Sequence, residues 1–113
     1  MIKIMSFIRR NPKLSPEEFR DYWTNVHAPL VLERLPGLIH YKGNFPVPRT
    51  HVPVEIDATD CDLIVEMAFA DRETMDEQMT SPGFLAEDRE ASSNHFMDMA
   101  ASSALVVEEI DAL

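Results

Sequence analysis

The sequence holds one cysteine, one tryptophan and three glycines in 113 residues. With Cys61 alone, no disulfide can close within the chain, and a reducing cytoplasm is the expected setting. The thiol sits between Asp60 and Asp62, whose charges oppose thiolate formation and make it a poor nucleophile. Gly37, Gly43 and Gly83 stand too far apart to form a phosphate-cradling loop, so nucleotide binding by that route is not expected. There is no Cys-x-x-Cys pair, no two histidines at the helical metal-site spacing and no Gly-x-Ser-x-Gly elbow. Neither a bound metal nor a serine hydrolase is therefore expected, and no cofactor is called for. No apolar run approaches the ~20 residues of a membrane span. Met1–Arg10 lacks the apolar core and cleavage site of a signal peptide and reads as a strand of the mature protein.

Positive charge is scarce and uneven. Ten Lys and Arg face twenty Asp and Glu, a net charge of −10, which argues against a nucleic-acid partner. Residues 1–54 carry about +4 and residues 55–113 about −14, read from the sequence. The two halves present either differently charged surfaces or opposite-sign surfaces that meet between two chains. What remains is a soluble globular composition, 45% hydrophobic and 27% charged, of a length suited to one domain over residues 1–113.

Periodicity predicts the elements. Ile2–Arg9 is a strand. Ser15-Pro16-Glu17-Glu18 is a helix start with a capping box and proline at the first helical position. Phe19, Tyr22, Trp23, Val26 and Leu30 then share one helical face. Pro29 should kink or end that helix near His27 and Ala28, with a short second piece over Leu30–Leu35. Pro36-Gly37 turns into a second strand, Leu38–Asn44. Residues 45–60, with Pro46, Pro48 and Pro53, form a long loop. Asp62–Phe69 is the third strand. Asp71 caps a helix to about Met79, Ser81-Pro82-Gly83 restarts a helical segment to about Ser92, Asn94–Ala101 is irregular or a short turn of helix, and Ser103–Ile110 is the last strand.

This order predicts an α+β, ferredoxin-like fold: a four-stranded antiparallel sheet with helices on one face. The uncovered face should be polar, yet the strands are apolar on both sides. Leu63, Val65, Met67 and Phe69 alternate with Ile64 and Ala68; Ile2, Ile4 and Ile8 with Met5 and Phe7; Leu105 and Val107 with Ala104, Val106 and Ile110. The simplest cover is the same face of a second chain. Burying even ~500 Å² this way is worth about 12 kcal/mol gross, so a homodimer through the sheet face is expected.

Tyr22-Trp23, His27-Ala28-Pro29-Leu30, Leu35-Pro36-Gly37-Leu38 and Tyr41-x-x-Asn44 follow one another in the first half. Glu66-x-x-Phe69, Ser81-Pro82, Asp88, Phe96-x-Asp98 and Val107-Glu108-Glu109 follow in the second. In this order the chain resembles the EthD-type family. The resemblance implies a dimeric α+β barrel with a ligand cavity, in agreement with the sheet-face argument. The activities it implies are heterogeneous: fungal polyketide dehydratases and decarboxylases, and proteins of ether degradation, with quinol-forming monooxygenases and a methylisomerase as more distant relatives.

The candidate catalytic residues are His27, Tyr41, His51 and Glu66. His27 titrates near neutrality and suits acid/base work; alternatively it caps a helix end, where the dipole favours its cation. Tyr41 could orient a substrate oxygen or simply pack in its strand. Tyr41 and Asn44 are three apart and so face opposite sides of the sheet. His51 lies in a His-Val-Pro turn that resembles one in the methylisomerase-like proteins, which carry a cysteine where this chain has Met67, so the same isomerisation is not implied. Glu66 in mid-strand is either a desolvated acid or an ion-pair partner of Lys3 or Arg9. Trp23, Asn44, Met67 and Phe69 are the candidate substrate-binding residues, with the methionines as an adaptable wall for a small apolar or aromatic ligand. The leading expectation is a cofactor-independent lyase, cyclase or isomerase acting on an oxygenated aromatic or polyketide-like compound. A non-catalytic binding protein and a cofactor-free monooxygenase are the alternatives.

Overall fold

The computed structural model describes residues 1–48 and 60–113. Among them, strands β1 (Ile2–Ile8), β2 (His40–Asn44), β3 (Leu63–Phe69) and β4 (Ser103–Glu108) form one antiparallel sheet in the order β2-β3-β1-β4. Helices α1 (Pro16–Tyr22) and α2 (Ala28–Arg34) connect β1 to β2, and α3 (Arg72–Met79) and α4 (Glu87–Phe96) connect β3 to β4. This is the ferredoxin-like α+β arrangement that the hydrophobic pattern predicts.

The first helix begins as its sequence dictates. Ser15 Oγ accepts the Glu18 N–H at 3.0 Å and Glu18 Oε1 accepts the Ser15 N–H at 2.9 Å, with Pro16 at the first helical position. Its far end differs from expectation. The chain neither kinks nor stops at Pro29 but widens into a π-helical turn over Trp23–His27, closed by the Ala28 N–H on the Trp23 carbonyl. Proline offers no N–H to a regular turn, and a single wide turn absorbs the mismatch. The extra residue also resets the buried face. Phe19, Trp23, His27, Val31 and Leu35 are buried at steps of four, while Val26 is 47% exposed. A stripe at strict four-residue steps would drift by ~40° per step around a regular helix. The wide turn takes out much of that drift, so His27 replaces Val26 on the inner face.

The second crossover also departs from the pattern. Asp71 caps α3 as predicted, accepting the Thr74 N–H at 2.8 Å. Ser81-Pro82-Gly83 makes a turn instead of restarting a helix, with Ser81 Oγ accepting the Phe84 N–H at 3.3 Å. Helix α4 begins only after Ala86, its first turn acidic with Glu87, Asp88 and Glu90, and runs on to Phe96. Residues 94–96 therefore belong to α4, and the short helical turn allowed for in Asn94–Ala101 follows as a 3-10 turn at Met99–Ala101.

Both helical layers pack on the same sheet face. One apolar cluster joins Ile8, Phe19, Trp23, Leu63, Val65 and Phe96; the other joins Val31, Leu35, Phe69 and Met75. Residues such as Phe19, Phe69, Phe96 and Leu63 are almost wholly buried, each worth about 1.5–3 kcal/mol against exposure. The opposite face carries Lys3, Met5 and Phe7, Ile64 and Glu66, and Leu105 and Val107, as the strand register requires. Leu105 on the edge strand is 60% exposed. The alternation read in the sequence is thus present, and the apolar residues of the second face are uncovered within one chain.

Candidate functional site

The wide turn and α4 meet over the centre of the sheet and enclose a cavity of about 170 Å³. His27, Trp23 and Tyr41 border it, together with Met67 and Val65 from β3 and Arg89, Ser93 and Phe96 from α4. Its wall is mostly apolar, with the few polar groups drawn from four elements, Ser6 of β1 included. A wider cleft of about 400 Å³ lies between the start of α1 and the end of β2, lined by Arg10, Phe19, Arg20, Phe45 and Asp62. Among the described residues that cleft contains no histidine, so the smaller cavity is the candidate site despite its size.

His27 is 7% exposed. Its Nδ1 lies 2.9 Å from Ser92 Oγ, and Ser92 Oγ lies 3.1 Å from the Tyr22 hydroxyl. The imidazole also packs on Phe96, ring centres 4.5 Å apart. Burial, with the positive charge of Arg89 adding to it, lowers the His27 pKa to about 4. The ring is therefore neutral near pH 7, which overturns the helix-capping cation as a role for it. With Nδ1 committed to Ser92, Nε2 is the nitrogen left to a ligand.

Trp23 and Tyr41 form the opposite wall, their ring centres 5.6 Å apart. Trp23 is 92% buried, reckoned from its 8% exposure, and its Nε1–H has no hydrogen-bond partner. A buried donor without an acceptor costs about 1–3 kcal/mol. Burial pushes the Tyr41 phenol well above its usual pKa, and the nearby Trp23 N–H offsets part of that without reaching hydrogen-bond geometry. Tyr41 is thus a neutral hydroxyl at any working pH.

The remaining predicted residues divide cleanly. Met67 borders the cavity. Phe69 is fully buried in the second apolar cluster and does not line the cavity, because that end of β3 is packed under α2 and α3. Tyr41 and Asn44 do face opposite sides, so Asn44 is excluded from the cavity, and Glu66 lies with it on the uncovered sheet face. There Lys3 Nζ bonds Glu66 Oε1 at 3.0 Å, Asn44 Nδ2 donates to Glu66 Oε2 at 3.0 Å, and Lys3 also pairs with Glu109. The Lys3 bond first, then Asn44, holds the Glu66 carboxyl below its ordinary pKa. Glu66 is accordingly the ion-pair partner that the sequence offered as its alternative reading, not a proton-bearing acid. His51 lies outside the described residues. Cys61 has a raised pKa, from burial first and its acidic neighbours in addition. Among the described residues no three His, Cys, Asp or Glu side chains gather as a metal site, and no helix is long and apolar enough to cross a membrane.

Sequence reasoning missed Arg89, Ser92 and Ser93. Their spacing with Phe96 places all four on one helical face, a signal available in the sequence. It was hidden because the helix was expected to begin early and to end at Ser92.

The fold and the site together define a ferredoxin-like α+β domain with a buried, histidine-bearing cavity between sheet and helices. The chain matches the EthD domain over residues 11–100 and belongs to that family. No sequence match is found among curated proteins. An EthD (ethyl tert-butyl ether D) family protein from Bacillus halodurans is similar in structure, with a TM-score of 0.72 at 21% identity over 97% of this chain and 99% of its own. SnoaB from Streptomyces nogalater, a cofactor-independent oxygenase, has a TM-score of 0.62 at 14% identity, over 99% and 95% of the two chains. A dimeric ferredoxin-like protein of unknown function from Thermobifida fusca has a TM-score of 0.61 at 14% identity, over 94% and 88%.

Proposed function

We propose that this protein is a cofactor-independent enzyme that moves a proton on a small oxygenated ligand held in the His27 cavity. The observation that carries the reading is His27 itself: a buried, neutral imidazole at the cavity wall, joined through Ser92 to Tyr22. For Nε2 to accept a proton, Nδ1 must carry its hydrogen and donate it to Ser92 Oγ. Ser92 then gives its own hydrogen to the Tyr22 oxygen. Tyr22 also borders a surface depression with Glu18, Asp21 and His95, so the relay runs from cavity wall to solvent side. Tyr41 serves as a neutral donor to a ligand oxygen, and Trp23 Nε1–H as a second. An imidazolium formed at a site with a pKa near 4 returns its proton readily. That suits reactions in which a proton leaves one ligand atom and arrives at another: loss of water, decarboxylation, cyclisation or isomerisation beside a carbonyl.

The low basicity of His27 also favours a second reading, an accessory protein that binds a pathway intermediate without turning it over. An oxygenase reading draws only on the fold shared with SnoaB; oxygen uptake with a quinol or anthrone tests it. We further propose that the chain acts as a cytoplasmic homodimer with its uncovered sheet faces apposed, supported by the apolar Met5, Phe7, Leu105 and Val107 on that face.

The deciding experiment incubates the wild type and His27→Ala with an extract rich in aromatic metabolites, followed by chromatography with mass detection. A compound consumed by the wild type alone supports the enzyme. A compound retained unchanged by both supports the binding protein, and full turnover by His27→Ala defeats the proposed chemistry.

A further inference from the structure

The second half of the chain has only two basic residues, Arg72 and Arg89, and one of them is turned into the cavity. Arg89 is half-buried, and the adjacent Asp88 accepts only its backbone N–H, at 2.9 Å, not its guanidinium. Asp88 is taken by Arg34, whose Nη1 and Nη2 meet its carboxylate at 3.0 and 2.5 Å. Arg89 instead donates from Nε to the Phe84 carbonyl at 2.6 Å and from Nη1 to Ser93 Oγ at 3.0 Å, with its Cζ 4.1 Å from the centre of the Phe84 ring. Among the described residues no carboxylate comes within ion-pair distance of it; Glu90, exposed on the same helix, acts on it only through space. The guanidinium is thus oriented by neutral groups, and its remaining N–H donors have no acceptor there.

A guanidinium at a cavity wall with no carboxylate of the described residues on it is free to pair with an anionic ligand group. The lining also holds an unmet donor, the buried Trp23 Nε1–H, and the apolar Met67, Met79 and Phe96. The cavity of about 170 Å³ is close to the ~150 Å³ of an apolar cavity that accepts benzene. One six-membered ring fits that volume.

We infer that the ligand is a single-ring organic acid, its carboxylate seated on Arg89 and Ser93 and its ring among Met67, Met79 and Phe96. This rests on the reading of the cavity as the ligand site, and it narrows the expected substrate from polyketide-like compounds to monocyclic ones.

Calorimetric titration with benzoate, benzyl alcohol and 2-naphthoate tests it. The emission of the lone tryptophan, read with the non-absorbing cyclohexanecarboxylate, reports occupancy of this cavity. Benzoate should bind about tenfold or more tightly than benzyl alcohol, the usual margin of a charge-assisted contact, and also more tightly than 2-naphthoate. Arg89→Met should bring benzoate down to the level of the alcohol, and Arg89→Lys should retain part of the preference. Equal affinity for acid and alcohol, or no binding of either, overturns the inference, and that comparison needs no variant to fold. Tight 2-naphthoate overturns the single-ring limit. Arg89-dependent benzoate binding without His27-dependent turnover upholds this inference while defeating the proposed chemistry. Acid-blind binding with His27-dependent turnover does the reverse.

Discussion

Gly43 lies flat beneath the Trp23 indole: a Cβ at residue 43 would come within 2.5 Å of Trp23 Cη2 and 2.6 Å of Cζ3. The strand thus presents bare backbone where the ring needs to lie, and the ring in turn forms a wall of the cavity. Glycine in a strand normally costs stability relative to alanine. Here alanine should be the worse residue. Gly43→Ala should lose about 1–3 kcal/mol, the usual cost of overpacking, in a denaturant melt followed by tryptophan emission. Unchanged stability with an unshifted emission maximum would refute this contact.

His27 should make the fold sensitive to acid in a defined window. Its pKa is about 4 in the folded chain and about 6.5 when unfolded. The unfolded state therefore binds more protons between those values, and stability rises with pH across them. The contribution is complete above about pH 6.5 and is lost as the pH falls towards 4, at most about 3 kcal/mol in all. Melts of the wild type and His27→Gln at pH 7, 5.5 and 4 should converge by that amount as the pH falls, after the acid sensitivity common to both is subtracted. Parallel curves, or an imidazole that titrates near 6.5 by NMR, would show that the ring is not buried as described.

The uncovered sheet face should govern assembly and not ligand binding. Leu105→Glu places a charge among Met5, Leu105 and Val107, where strands β1 and β4 are in register, and should convert a dimer into a monomer in sedimentation velocity. Glu66→Gln removes the Lys3 partner on the same face and should change affinity for any cavity ligand by less than about twofold. A wild type that sediments as a monomer would end the sheet-to-sheet proposal. A tenfold effect of Glu66→Gln on binding would return that carboxylate to the candidate site.

Much of this was legible in the sequence, for identifiable reasons. The order of strands and helices, the Ser15 capping box and the opposite facings of Tyr41 and Asn44 follow from period and local chemistry alone. The resemblance carried by Tyr22-Trp23 and His27-Ala28-Pro29-Leu30 led to the family. What was not legible depended on one inserted residue and one misplaced helix start. A π-helical turn leaves no compositional mark beyond a proline, so a regular period puts Val26 on the inner face beside His27, and only the wide turn leaves Val26 exposed. Ser81-Pro82 has the chemistry of a helix start, and only tertiary packing makes it a turn. That single shift of α4 concealed Arg89 and Ser93, which with His27 supply much of the cavity's polar lining, and Ser92, which holds the His27 ring.

Ser92 is the positioning residue on which the proton relay turns, and its two bonds can be cut separately. Ser92→Ala leaves the buried Nδ1 of His27 without its partner, at a cost of about 1–3 kcal/mol in stability, and frees the ring to rotate. Turnover of a substrate should fall about 10–100-fold through kcat, with KM little changed, as for loss of an orienting partner to a general base. Tyr22→Phe keeps the His27–Ser92 bond at 2.9 Å and removes only the outer link at 3.1 Å. If Tyr22 merely packs on His95 and Phe96, with ring centres 4.4 and 5.9 Å away, phenylalanine should preserve kcat. If the proton leaves through it, kcat should fall and its solvent isotope effect should change, while stability moves by about 1 kcal/mol or less. A Tyr22→Phe enzyme with wild-type kcat and isotope effect would end the relay at Ser92 and leave Tyr22 as a packing residue.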